Sequence, residues 1–196
     1  MAIAALAASA VFVTPTAAYA HTGGHDHGVT RYSSSDFTMQ WAYYRGELTD
    51  LRPTTKEPLD GATATAVMVG VNSTRFTLSV KGIDASAGHG TFGAHLHMGP
   101  CVEGDWAGVI GLKHYNTDVL ASVAPPDISP QTEVWLDFDA NSDGEATTRV
   151  TVPFIPQKGE RSIVIHDLAT DPGTGAAGNR LACLPLDIKQ LGGADD

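Results

Sequence analysis

Apolar and polar positions alternate along much of the chain in short runs. In RFTLSVKG (75–82), Phe76, Leu78 and Val80 share one face while Thr77 and Ser79 share the other, which is the period-2 pattern of a half-buried strand. Runs of this kind, rich in valine, threonine and aromatics, stand at FTMQWAYY (37–44), ATATAVMVG (62–70), STRFTLSVKG (73–82), FGAHLHM (92–98), EVWLDFD (133–139), ATTRVTVPF (146–154), RSIVIHD (161–167) and RLACLPL (180–186). Gly, Asn, Asp and Pro separate them, so the pattern predicts an all-β domain, an antiparallel sandwich or barrel. No helical period of useful length interrupts it.

The breaks carry information too. Residues 115–131 contain APPDISP, whose prolines rule out a regular central strand and predict a long surface loop. DANSDG at 139–144 resembles the start of a calcium-binding loop, but the twelfth position is Val150 instead of glutamate and the flanks read as strands, so a hairpin turn is expected. Asn72-Ser73-Thr74 fits a glycosylation sequon, a pattern too short to argue from.

At the N-terminus, an alanine-rich apolar run too short to span a bilayer leads into Ala18-Tyr19-Ala20, a small-x-small cleavage site. Residues 1–20 therefore read as a signal peptide, and no cysteine follows that could carry a lipid. Residues 21–36 are polar and glycine-rich and read as a flexible histidine-containing tail. The domain is expected at 37–190, with a flexible C-terminus at 191–196. An exported protein without a membrane anchor follows, in the periplasm, the cell envelope or the medium.

The mature chain of about 175 residues is long enough for one domain with its own core. Its formal net charge of -10 disfavours nucleic acid or an anionic membrane as partner. Cys101 and Cys183 are the only cysteines, and in an oxidising compartment such a pair most simply forms one structural disulfide, worth about 4 kcal/mol by chain entropy. A reactive or metal-ligating pair is the alternative.

The eight histidines are unevenly placed. His21, His25 and His27 lie in the tail; the others are His89, His95, His97, His114 and His166. On a strand His95 and His97 project from one face and Leu96 from the other, which makes half a metal site. His166 ends the apolar run SIVIH and His114 opens the long loop. Four neutral imidazoles from three segments suit copper, zinc, nickel or iron by ligand type. His89, in a glycine-flanked loop, has no assigned role.

GAHLHMG, KHYN and IVIHDLATDPGTGAAGNRLAC resemble, in order, the three metal-site segments of the copper/zinc superoxide dismutase family. The similarity spans roughly residues 62–184, and GNRLAC is its most specific part. The resemblance implies an eight-stranded Greek-key barrel or sandwich with long loops, and a copper-dependent enzyme that converts superoxide to dioxygen and hydrogen peroxide. His95, His97, His114 and His166 become ligands of one copper per chain. Arg180 becomes the group that attracts and orients the superoxide anion, His114 a second catalytic residue that releases the metal and takes up a proton, and Cys101–Cys183 the intrachain disulfide.

The chain departs from the two-metal pattern at one point. Between His114 and His166 there is no histidine, so the family's zinc site cannot be assembled from its usual ligands and zinc is not expected. The loop between His166 and Arg180 is also short, which opens the copper to solvent. Something must take over zinc's role of holding the far nitrogen of His114. Glu133 is the first candidate and Asp118 the second. The tail histidines could capture copper in a metal-poor compartment, or serve only as a linker. The competing function is a copper-storage or copper-delivery domain that uses the same ligands without turnover.

Overall fold

A computed structural model describes residues 26–34, 37–87, 90–110 and 113–188, with side chains from 41 onward. The expected signal segment, His21, His25, His89 and residues 191–196 lie outside the described residues. In chain order the strands are β1 (Asp26–Ser34), β2 (Phe37–Glu47), β3 (Thr49–Asp50), β4 (Thr63–Gly70), β5 (Thr74–Lys81), β6 (Ala94–His97), β7 (Glu145–Val152), β8 (Gly159–His166) and β9 (Arg180–Ile188). They form two antiparallel sheets, one ordered β1-β2-β4-β5-β7 and the other β3-β9-β8-β6. The protein is an all-β sandwich, and among the described residues neither sheet closes into a barrel.

The core lies between the sheets. Met68, Phe76, Leu78 and Val80 face it from the first, and Ala94, Leu96, Ile163, Ile165, Leu184 and Leu186 from the second, all buried in one cluster. Alternation then fixes the opposite face of the second sheet. His95 pairs across from Val164 and His97 from Ser162, with Val164 and Cys183 packing instead against Leu51. The face of the second sheet turned away from the core therefore carries the histidines.

Seven of the predicted runs form strands within a few residues of where they were expected. The eighth, EVWLDFD, runs antiparallel along the outer edge of β6 but makes only isolated bridges, Phe92 to Phe138 and His95 to Trp135. Two donors or acceptors that would complete its ladder are used elsewhere: Ala94 N donates to Asp137 Oδ1 at 3.2 Å, and Leu96 O accepts from Tyr115 N. A local side-chain acceptor has displaced a sheet bond. The DANSDG turn follows this segment and feeds β7, whose partner is β5 in the other sheet, so it is a crossover between sheets and not the hairpin expected. Asn141 Oδ1 organises it by accepting from the backbone of Asp143 and Glu145.

Two further findings concern loops. The segment expected as a flexible tail contains β1, paired with β2 over nine residue positions from Asp26↔Arg45 to Ser34↔Phe37. Backbone pairing needs no apolar alternation, so a polar, glycine-containing edge strand leaves little trace in the hydrophobic pattern. The 115–131 loop holds a short helix, α1 (Thr117–Leu120), whose first N–H groups are capped by Asn116 Oδ1. No helix among the described residues is long and apolar enough to cross a membrane.

Candidate metal centre

His95 and His97 leave β6 on its outer face, while Leu96 between them enters the core. His166 closes β8 at a register irregularity opposite Arg180. His114 comes from the loop and is bridged through its backbone to His97. The four rings converge: centroids of His95 lie 4.1 Å from His114 and 5.0 Å from His166, and His97 lies 4.9 Å from His114. One nitrogen from each of the four falls within 4.8 Å of the others, the kind of group that could hold a metal ion.

Glycine permits this approach. Gly93 donates its N–H to Leu168 O and accepts at its carbonyl from His166 N, and a Cβ there would collide with Ala177 and the Leu168 carbonyl. The G of GAHLH thus lets the 167–179 loop close against β6, bringing His166 to His95.

Burial, reinforced by electrostatics, keeps His95 and His166 neutral. His95 and His97 are fully buried and His166 nearly so, whereas His114 is less so. Burial first, and then repulsion from His114, His166, His97 and Arg180, hold His95 far below its usual range. Burial likewise pushes His166 down to about 4; the Gly178 carbonyl and Asp167 act in the opposite direction, and His114 and Arg180 reinforce the drop. Neutral imidazoles carry lone pairs, which metals require. Buried His95 Nδ1 and His166 Nε2 have no hydrogen-bond partner, although leaving a buried polar atom unsatisfied costs about 1–3 kcal/mol. A metal ion would satisfy both, so the residues present fit one.

The two carboxylates proposed as partners of His114 separate clearly. Glu133 Oε2 lies 2.9 Å from His114 Nδ1. The same oxygen accepts from Trp135 Nε1 at 2.8 Å, and Oε1 accepts from Asn116 Nδ2 at 3.1 Å. Burial alone would raise the Glu133 pKa, but these three donors outweigh it and hold the carboxyl below its usual range. Asp118 is turned away, accepting instead from the backbone of Asp127 across the loop.

Arg180 is half-buried. Its guanidinium packs on the backbone of Gly108, where any side chain would strike it, and its charge reaches both His95 and His166. Cys101 and Cys183 form a disulfide with Cα atoms 5.8 Å apart, which ties the 101–110 loop to β9.

Sequence reasoning missed Trp135, Asn116, Asp137 and Thr170, the hydrogen-bonding groups behind the rings. Glu133, Trp135 and Asp137 have i, i+2 spacing, the same signal that exposed His95 and His97. No protein-family model matches the chain, and no curated protein matches it significantly.

Proposed function

We propose that this protein is a copper-dependent superoxide dismutase with a single metal held by His95, His97, His114 and His166. The observation that carries the reading is the convergence of four imidazoles, with His95 and His166 held neutral, beside Arg180, a cation that a storage site has no need of. The resemblance of GAHLHMG, KHYN and GNRLAC to the copper/zinc family supports copper over the other metals an imidazole set can take. Bound copper would supply the redox chemistry, passing an electron from one superoxide to a second and yielding dioxygen and, with two protons, hydrogen peroxide.

The residues have distinct tasks in this reading. Arg180 places positive charge where an anion must arrive, and a local field matters more there than a net charge of -10. Glu133 holds His114 through Nδ1, which turns Nε2 toward the cluster and takes the place of a second metal. His114, the least buried of the four, is the residue at which a proton is taken up and handed on. The disulfide suits an exported, oxidising compartment.

Pulse radiolysis of full-length protein loaded with one copper and free of zinc tests the proposal. Superoxide loss near the diffusion ceiling of roughly 10⁸–10⁹ M⁻¹s⁻¹ is expected. A copper-loaded protein no faster than its metal-free form would make it a copper-storage or copper-delivery domain.

A further inference from the structure

The loop that follows β3 and the disulfide-tied 101–110 loop enclose a pocket of about 320 Å³, lined by Arg52, Pro53, Thr54, Thr55, Gly104 and Trp106. No histidine lines it, and its size falls within the range of small-molecule sites. Both walls are fixed by the backbone. Gly104 N donates to Asp50 O at 3.2 Å, Asp105 accepts from the N–H groups of Val109 and Ile110, and Cys101 is bonded to Cys183 on β9. In the opposite wall Arg52 N donates to Asp50 Oδ1 and Thr55 N to Arg52 O, while the ring of Pro53 restricts the chain between them. A preformed pocket has little freedom to lose when a ligand enters.

Its lining combines one bare apolar face with unused polar groups. Trp106 is 60% exposed, an indole that offers its electron-rich face and an edge N–H to whatever lies against it. Gly104 has φ +77° and leaves open space where a side chain would stand, so nothing from that residue narrows the pocket. The hydroxyls of Thr54 and Thr55, both exposed, have no hydrogen-bond partner among the described residues. Arg52 adds a guanidinium, with Nη1 3.1 Å from Glu57 Oε1. That pairing makes the polar side electrically neutral: a carboxylate or phosphate ligand would compete with Glu57, and a cation would meet Arg52.

We propose that this pocket is a carbohydrate site that takes a neutral, β-linked hexopyranose unit of a glycan. Such a ring, with its substituents equatorial, has a flat face of C–H groups that stacks on the negative face of an indole. Around its rim stand hydroxyls that both donate and accept, which Arg52, Thr54 and Thr55 can answer. A proline-rich peptide is bound by a groove lined with several aromatics, and Trp106 is the single aromatic residue of this lining. Two residues beyond Trp106, Gly108 packs against Arg180. One loop thus joins the sugar site to the residue beside the metal centre, so that a bound glycan would hold the protein in place while the histidines work. The inference does not depend on which metal they hold.

The test is a titration of ¹⁵N-labelled full-length protein with cellohexaose and with chitohexaose, followed through the indole N–H signals of Trp41, Trp106 and Trp135. The Trp106 signal is expected to shift and to saturate with a dissociation constant on the order of 1 mM, while the other two stay in place. Trp106→Ala is expected to weaken binding, read by calorimetry, by about tenfold or more, and Trp106→Phe, which keeps a ring, to retain most of it. Thr54→Ala combined with Thr55→Ala should weaken it less. A Trp106 signal unmoved by either sugar through the millimolar range overturns the proposal, as does sugar binding that survives Trp106→Ala. A proline-rich peptide that shifts Trp106 where neither sugar does would assign the pocket to a protein partner and overturn it too. If the alanine variant does not fold, the wild-type titration alone decides.

Discussion

The two sheets bury their residues in different ways. In the first, β4 and β5 alternate between buried and more exposed positions along their length, so one face meets the core and the other meets water. In the second, all four residues of β6 and the last five of β8 are buried, because the outer face is itself covered. The disulfide pins the 101–110 loop there, the 132–138 segment lines β6, and the 167–179 loop closes through Gly93. A solvated sheet face leaves an imidazole free to protonate. A covered one holds it neutral, and supplies a second, polar layer in which carboxylates and hydroxyls can address its far nitrogen.

The largest expected effect separates stability from site. Phe76 is buried in the first sheet, whereas His95, His97 and His166 stand on strands of the second, and Phe76→Ala should cost about 3–5 kcal/mol in denaturant unfolding of the metal-free protein. The folded fraction should still bind one copper with wild-type affinity, as titration would show. A folded Phe76→Ala protein that has lost its metal site would mean that the two sheets do not divide the work in this way.

Next in size is the response to acid. His166 has a folded pKa of about 4 against an ordinary 6.5, so between those values the unfolded chain binds more protons than the folded one. Stability therefore rises with pH across that window. The metal-free protein should keep its full stability above about pH 6.5 and lose about 3 kcal/mol as the pH falls to 4, at about 1.4 kcal/mol per unit. His95 is shifted in the same direction and adds to the loss. Urea unfolding at several pH values measures it, and an undiminished slope in His166→Asn would place the titration elsewhere.

The difference between sheets also explains what could be read in advance. Phe76, Leu78 and Val80 announce a strand because the core selects every second side chain, and His95 and His97 announce themselves by the same rule. His166 is legible as a polar residue ending an apolar run. Thr170 and Asp137 are not, since a threonine in a glycine-rich loop and an aspartate in an alternating run look like solvated surface until the loop is folded back. β1 is hidden for a different reason: its pairing is a backbone property. Of the two carboxylates weighed for His114, spacing could not choose. Asn116 favours Glu133, because its side chain caps α1 with Oδ1, which presents Nδ2 to the carboxylate.

The smallest effect is the sharpest contrast. Two pairs have the same separation of 2.9 Å: Lys81 Nζ to Glu145 Oε1 on the outer face of the first sheet, and His114 Nδ1 to Glu133 Oε2 beneath the loops of the second. The first has side chains 65% and 48% exposed, the second 21% and 5%. Water and salt screen the lysine pair, so a double-mutant cycle with Lys81→Ala and Glu145→Ala should give less than about 1 kcal/mol, shrinking further in high salt. Glu133→Gln keeps the shape but removes the charge, leaving His114, Trp135 and Asn116 donating to a neutral amide whose own N–H groups need acceptors. Its effect should exceed that of the lysine pair, persist in high salt, and appear in copper affinity as well as in stability. Equal, salt-sensitive effects at both sites would show that contact distance, and not the covering of one sheet face, sets what a carboxylate and its partner do in this protein.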